Sequence, residues 1–150
     1  MRPHLVGWHF RPPQHPAPLS TATSTLFTQE VTYRLVSLCR EGKFVGAIQE
    51  LHAPHVESIG PEGGPGPSRI EGFDNVINKS SAFGKSMEQV YSTVISDPVV
   101  ADAFFSVSVH MDIDMAGVGR TPIEEVCVYE VKDGKIVCDR FFYNPMPGQN

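Results

Sequence analysis

The sequence predicts an α+β domain, with three helices ahead of a meander of long antiparallel strands. Three observations predict it. From Leu26 to Phe83 apolar residues recur at helical spacing. After Ser86 the spacing switches to a period of two. The 150 residues suit one domain, and 41% hydrophobic with 19% charged residues excludes a disordered chain. Helices and strands segregated along a chain define the α+β class.

The elements follow in order. Residues 1–25 read as a tail, because Pro3, Pro12, Pro13, Pro16 and Pro18 interrupt any helix or ladder. The stretch has no apolar run of the kind a secretion signal needs. The first helix spans 26–40 on Leu26, Phe27, Val31, Leu35, Val36, Leu38 and Cys39, with Ser24 or Thr28 to cap it and Gly42 just past its end. A short helix over 43–51 carries Phe44, Ile48 and Leu51 on one side, and a strand over 55–59 follows Pro54. Residues 60–67 alternate glycine and proline and form a loop. The third helix covers 72–83, with Phe73, Val76, Ile77 and Phe83 as its apolar side.

Strands come next. Val90 to Ser96 alternates and stops at Asp97-Pro98. In Phe104 to Asp114, Phe105, Val107, Val109, Met111 and Ile113 face one way, and Ser106, Ser108, His110, Asp112 and Asp114 the other. Residues 123–131 and 135–143 pair as a hairpin around Lys132-Asp133-Gly134. Residues 146–150 are a short C-terminal tail.

Composition closes off several functions. The net charge of -5 leaves no basic stripe for a nucleic acid. No apolar run of about 20 residues offers a membrane span. Cys39, Cys127 and Cys138 are odd in number and far apart, which fits a reducing, cytoplasmic setting and no zinc knuckle. Phe83-Gly84-Lys85-Ser86 ends like a phosphate-binding loop, but the glycine needed at position 79 is Lys79. His52, His55 and Glu57 have spacings a metal could use, yet Pro54 breaks the geometry between them, so no metal is expected.

Several phrases, in their order and spacing, carry a resemblance. They are Arg40-Glu41-Gly42-Lys43-Phe44, Leu51-His52-Ala53-Pro54-His55-Val56, the run from Val128 to Val137, and Phe141-Phe142-Tyr143-Asn144. Over residues 26–145 the chain resembles the SnoaL-like branch of the nuclear transport factor 2-like superfamily. The resemblance implies a cone-shaped, cystatin-like α+β fold, in which a strongly bent antiparallel sheet and three helices enclose one pocket. It also implies acid and base work on a small, mostly apolar ligand with no cofactor. The isomerase pattern of that superfamily falls here on Leu35 where it needs a tyrosine and on Gly60 where it needs an aspartate base. Tyr33 lies roughly 200° around the helix from Leu35 and does not substitute. A steroid isomerase is therefore not expected.

The third position of that pattern falls near Glu125. If the hairpin closes with a three-residue loop and a left-handed Gly134, Val131 pairs with Lys135. Glu125 then opposes Phe141, Cys127 opposes Asp139, and Tyr129 opposes Val137. These residues share a face with Tyr143. A two-residue loop splits the set. A carboxyl facing an apolar pocket has its charged form disfavoured and can serve as acid or base near neutral pH. Glu125 and Asp139 are thus the candidate catalytic pair. Tyr129, Phe141, Tyr143, Leu35 and His55 are the candidate ligand contacts. Two readings stay open: a binding module, and a cofactor-free isomerase, cyclase, hydratase or epoxide hydrolase. Apolar residues on both hairpin faces also predict a homodimer through the outer face of the sheet, because three helices cover only one face.

Overall fold

The computed structural model describes residues 19–145. The body of the tail expected at residues 1–25, and the C-terminal tail at 146–150, lie outside the described residues. In chain order the elements are α1 (Leu19–Arg40), α2 (Phe44–Leu51), β1 (His52–Ile59), β2 (Arg69–Glu71), α3 (Phe73–Ser86), β3 (Met87–Ile95), β4 (Val99–Ala101), β5 (Phe104–Met115), β6 (Gly119–Lys132) and β7 (Lys135–Phe142). The α+β class stands. Three details differ from the sequence expectation.

First, α1 begins at Leu19, so the boundary placed after residue 25 falls inside a helix. Thr28 is not a cap. It sits fully buried within α1, and the Thr32 hydroxyl donates to its carbonyl at 2.7 Å. Second, a short β2 joins the expected strand between α2 and α3, and both belong to the one sheet. Third, the sheet is mixed. Its order is β2-β1-β7-β6-β5-β3, with β4 on β5, and β1 runs parallel to β7.

Burial follows the sequence pattern. Val31, Leu35, Val36, Leu38 and Cys39 of α1 meet Ala47, Ile48 and Leu51 of α2. Beneath them lie Phe105, Val107, Val109, Met111 and Ile113, the inward set of β5. Burying side chains of this size contributes about 1.5–3 kcal/mol each, so this layer holds the helices to the sheet.

β1 starts at His52 rather than His55. Pro54 is tolerated inside it because the ladder to β7 shifts register between His52 and Glu57, where no amide is needed. The three-residue β2 and β4 are too short to leave a periodic signal.

The β6–β7 hairpin also closes differently. Lys132 pairs with Lys135, so the loop is the two residues Asp133 and Gly134. Both have positive φ, 51° and 74°, which is the type I′ geometry that follows strand twist. A β-bulge then intervenes. Val131 pairs with Ile136, but Glu130 pairs with Cys138, leaving Val137 as the extra residue. The short loop shifts the pairing by one residue and the bulge shifts it by one more. The expected face therefore survives, with the pairs beyond the bulge displaced by two: Tyr129 opposes Asp139, and Cys127 opposes Phe141.

Candidate functional site

The inward face of the hairpin carries Glu125, Cys127 and Tyr129 on β6, and Asp139 and Phe141 on β7. Tyr143 follows directly. Tyr129 is buried and stacks on Phe105 of β5, with ring centroids 4.7 Å apart and planes 16° from parallel. Burial, and then the acidic groups near it, hold its phenol well above the ordinary range. It is therefore a neutral hydroxyl. The Cys127 thiol donates to Glu125 Oε1 at 3.6 Å. Burial raises the Cys127 thiol strongly and pushes Cys39 up to about 12. Neither is a thiolate, so neither is an activated nucleophile.

Glu125 is half-buried, and its pKa is raised from the ordinary 4.5. Desolvation is the main cause, and the charge of Asp139 adds to it. The Cys127 thiol and Lys79 of α3 pull the other way. Tyr143 is raised too, by burial and then by Glu125.

Asp139 has a partner that the sequence did not announce. His52 Nε2 lies 2.9 Å from Asp139 Oδ2, and both side chains are 3% exposed. The pair spans 87 residues of sequence. Each member keeps one buried polar atom without a hydrogen bond, His52 Nδ1 and Asp139 Oδ1. Buried polar atoms without partners are uncommon, because each forfeits its hydration.

A groove of about 620 Å³ lies beside the middle of β6 and the C-terminal end of β7. Ile59, Gly60 and Pro61 form one wall, and Glu125, Phe141 and Tyr143 another. About half of its lining belongs to the outer face of the sheet: Ser108, His110, Glu124, Val126, Arg140 and Phe142. The structure thus brings three of the expected residues, Glu125, Phe141 and Tyr143, into one wall. Tyr129 and Asp139 lie behind that wall in the core. Leu35, 2% exposed, packs in the core and lines no part of the groove. His55 is exposed on β1 and also stands outside the groove. The histidine that turns inward is His52. Its sequence signal was the apolar pair around it, Leu51 and Ala53, both of which are buried. Among the described residues no cluster of three or more His, Cys, Asp or Glu side chains is placed to hold a metal ion. No helix among them is long and apolar enough to cross a membrane.

The SnoaL-like domain family matches residues 26–143. The chain belongs to the SnoaL-like family. A Mesorhizobium loti structure whose name gives both a SnoaL-like polyketide cyclase and a carbohydrate phosphatase is 26% identical, with a TM-score of 0.71 over 77% of this chain and 97% of that one. A nuclear transport factor 2-like protein of unknown function from the same organism superposes with a TM-score of 0.63 at 18% identity, over 87% and 97%. TerC, co-crystallised with polyporic acid, gives 0.62 at 15% identity, over 79% and 92%. The last two show the fold alone. No curated protein matches in sequence. In this SnoaL-like chain the seven-stranded mixed sheet supplies the face on which Glu125, Tyr129, Asp139 and Phe141 stand.

Proposed function

We propose that this SnoaL-like domain takes a small, mostly apolar ligand into the groove beside β6 and β7 and exchanges a proton with it through Glu125. One observation carries the reading. A half-buried carboxyl with a raised pKa stands in the wall of a groove beside Phe141 and Tyr143. The aromatic groups supply apolar contact area. The desolvated carboxyl, raised above the ordinary carboxylate range, supplies a proton or removes one. Tyr143 is a neutral hydroxyl that can orient a ligand oxygen. Behind them Asp139, held by His52, adds negative charge that keeps Glu125 inclined to stay protonated. The reading calls on no cofactor. Cyclisation, isomerisation and hydration all fit a single proton-exchanging carboxyl, and the polyketide-cyclase part of the M. loti relative's name supports cyclisation.

A second reading, a binding module without turnover, is favoured by the burial of Tyr129 and Asp139, which places both beneath the groove. One experiment separates the two. An apolar hydroxylated probe such as 2-naphthol is titrated into the parent chain and into Glu125→Gln, with solvent exchange at the ring carbon beside its hydroxyl, which gains one proton and then loses the other, followed by NMR. Proton exchange that the parent accelerates and Glu125→Gln does not supports the catalytic reading. Equal binding with no acceleration in either leaves the binding module. No binding in the groove refutes both.

The partner proposed for the outer face is a second copy of the chain. Val94, Val99, Phe104, Val126 and Phe142 are all exposed there or at its edge, with Phe142 at 55%. His110 and Glu124, 3.5 Å apart, and Arg140 lie among them. An isologous pairing buries this strip, and because Val126, Phe142, His110, Glu124 and Arg140 also line the groove, the second copy forms its outer side.

A further inference from the structure

Two buried groups of β6 have no part in the reading above, the Cys127 thiol and the Tyr129 hydroxyl. With Glu125 they occupy alternate positions of one strand, so all three stand on its inward face. The series leads from Glu125 in the groove wall to Tyr129 in the core, stacked on Phe105. Tyr129 keeps its proton, and its hydroxyl donates to the Cys127 sulfur. The thiol keeps its own proton and donates to Glu125 Oε1 at 3.6 Å. The result is a chain in which each donor lies on the core side of its acceptor. Glu125 Oε2 takes no hydrogen bond from any described residue, and it is not among the buried polar atoms left without a partner. It therefore keeps access to solvent.

We propose that Cys127, backed by Tyr129, is a positioning residue for Glu125: its thiol occupies Oε1, so that the exchangeable proton is carried on Oε2. The role rests on the reading of Glu125 given above, whereas the coupling of thiol and carboxyl does not. A carboxyl has two oxygens and one acidic proton. The oxygen that already accepts the thiol hydrogen is the poorer place for that proton. Oε2 then carries it, and Oε2 is the oxygen a ligand can reach. The thiol hydrogen bond also favours the charged form, against desolvation, which favours the neutral one. Around the carboxyl stand Lys79 of α3, Asp139 of β7 with His52 of β1 behind it, and Tyr143. Lys79 acts in the same direction as the thiol, and Asp139 in the opposite one. Cys39 of α1 lies near Tyr129. None of these hydrogen-bonds to Glu125, so the thiol decides which of its oxygens is free.

The test uses the full chain. Carboxyl-carbon NMR follows the titration of Glu125, and Raman spectra follow the S–H stretches of the three free cysteines. One S–H band should move to lower frequency with the Glu125 midpoint, because a carboxylate is the stronger acceptor. In Glu125→Gln that band should stay still. Cys127→Ala should weaken the acid dissociation of Glu125 about three- to tenfold, the loss of one hydrogen bond to the charged form. Cys127→Ser keeps a donor and should return it to within about twofold of the parent. A role in packing alone would not divide alanine from serine in this way. The pH midpoint of 2-naphthol exchange should move by the same factor in Cys127→Ala. The Raman measurement needs no change at Cys127, so it decides the matter even if that variant does not fold. The proposal is overturned if no S–H band follows Glu125, if folded Cys127→Ala titrates like the parent, or if serine behaves like alanine. A band that follows Glu125 in a chain that does not accelerate exchange overturns the role together with the catalytic reading. A band that stays still overturns the coupling whatever Glu125 does.

Discussion

Replacing His52 by leucine tests how the buried pair is held. The substitution removes the one hydrogen-bond partner of a carboxyl group that is 3% exposed. Neither Asp139 oxygen then has a protein partner, since Oδ1 has none already. Breaking a buried pair from one side costs about 3–5 kcal/mol, most of it the stranded charge. For a chain of this length 1 kcal/mol moves Tm by about 2–4 °C, so the midpoint should fall by roughly 6–20 °C. Asp139→Val alone should cost less, because it leaves a neutral imidazole rather than a buried charge. The double variant should recover at least about 2 kcal/mol against the sum of the singles, because no charge is then left behind. Urea denaturation followed by circular dichroism gives all three values. A single-variant cost under about 1 kcal/mol, or strictly additive singles, refutes the reasoning. Either result would mean that the two side chains do not depend on each other.

Other expectations follow from the same geometry. Folding raises the Glu125 pKa, so the folded chain binds more protons than the unfolded one between 4.5 and the raised value. Stability from this group is complete below that window and is lost as pH rises through it, and Glu125→Gln should flatten that slope in Tm against pH. A Tm–pH curve identical in parent and variant would contradict the burial of this carboxyl. Gly64→Ala would place a Cβ 2.8 Å from Tyr143 Oη and 3.3 Å from the Pro61 carbonyl. Tyr143 should swing away, seen as displaced ring resonances, with groove binding weakened severalfold and Tm almost unchanged. Light scattering should report twice 16.5 kDa for the parent and a monomer for Phe142→Asp. A parent that is monomeric at micromolar concentration removes the outer face as an interface.

Much of this architecture is legible in the residues, for reasons that can be named. β5 alternates strictly because one of its faces meets the core and the other does not. The inward and outward sets read from Phe104 to Asp114 are therefore those observed. Other features leave no trace in a period. β2 and β4 each span three residues, less than two full alternations. The parallel pairing of β1 with β7 joins distant segments and depends on no local pattern. The hairpin teaches a narrower lesson. Asp133-Gly134 suits either a two-residue or a three-residue loop, and nothing in Val131 to Cys138 marks Val137 as a bulge. Two single-residue shifts add to two, which restores the parity, so the inward face is the expected one although the pairs are not. His52 enters the sequence reading as a candidate only through its metal-like spacing, because Pro54 sets the expected start of the strand after it. The irregular ladder that accommodates Pro54 is also what lets His52 reach the inward side.

The β1–β7 pairing sets a timetable for the molecule. His52 and Asp139 are 87 residues apart, and their strands touch only when the last strand of the sheet has docked beside one of the first. Closing so large a loop is slow and comes after local hairpins have formed. During synthesis Glu125 emerges with its β6 neighbours while Asp139 is still to be added. A chain halted before β7 then holds an unmatched histidine and an open strand edge. Completion of the polar pair is thus a late event of folding. Substitutions at His52 should speed unfolding and leave the refolding rate nearly untouched.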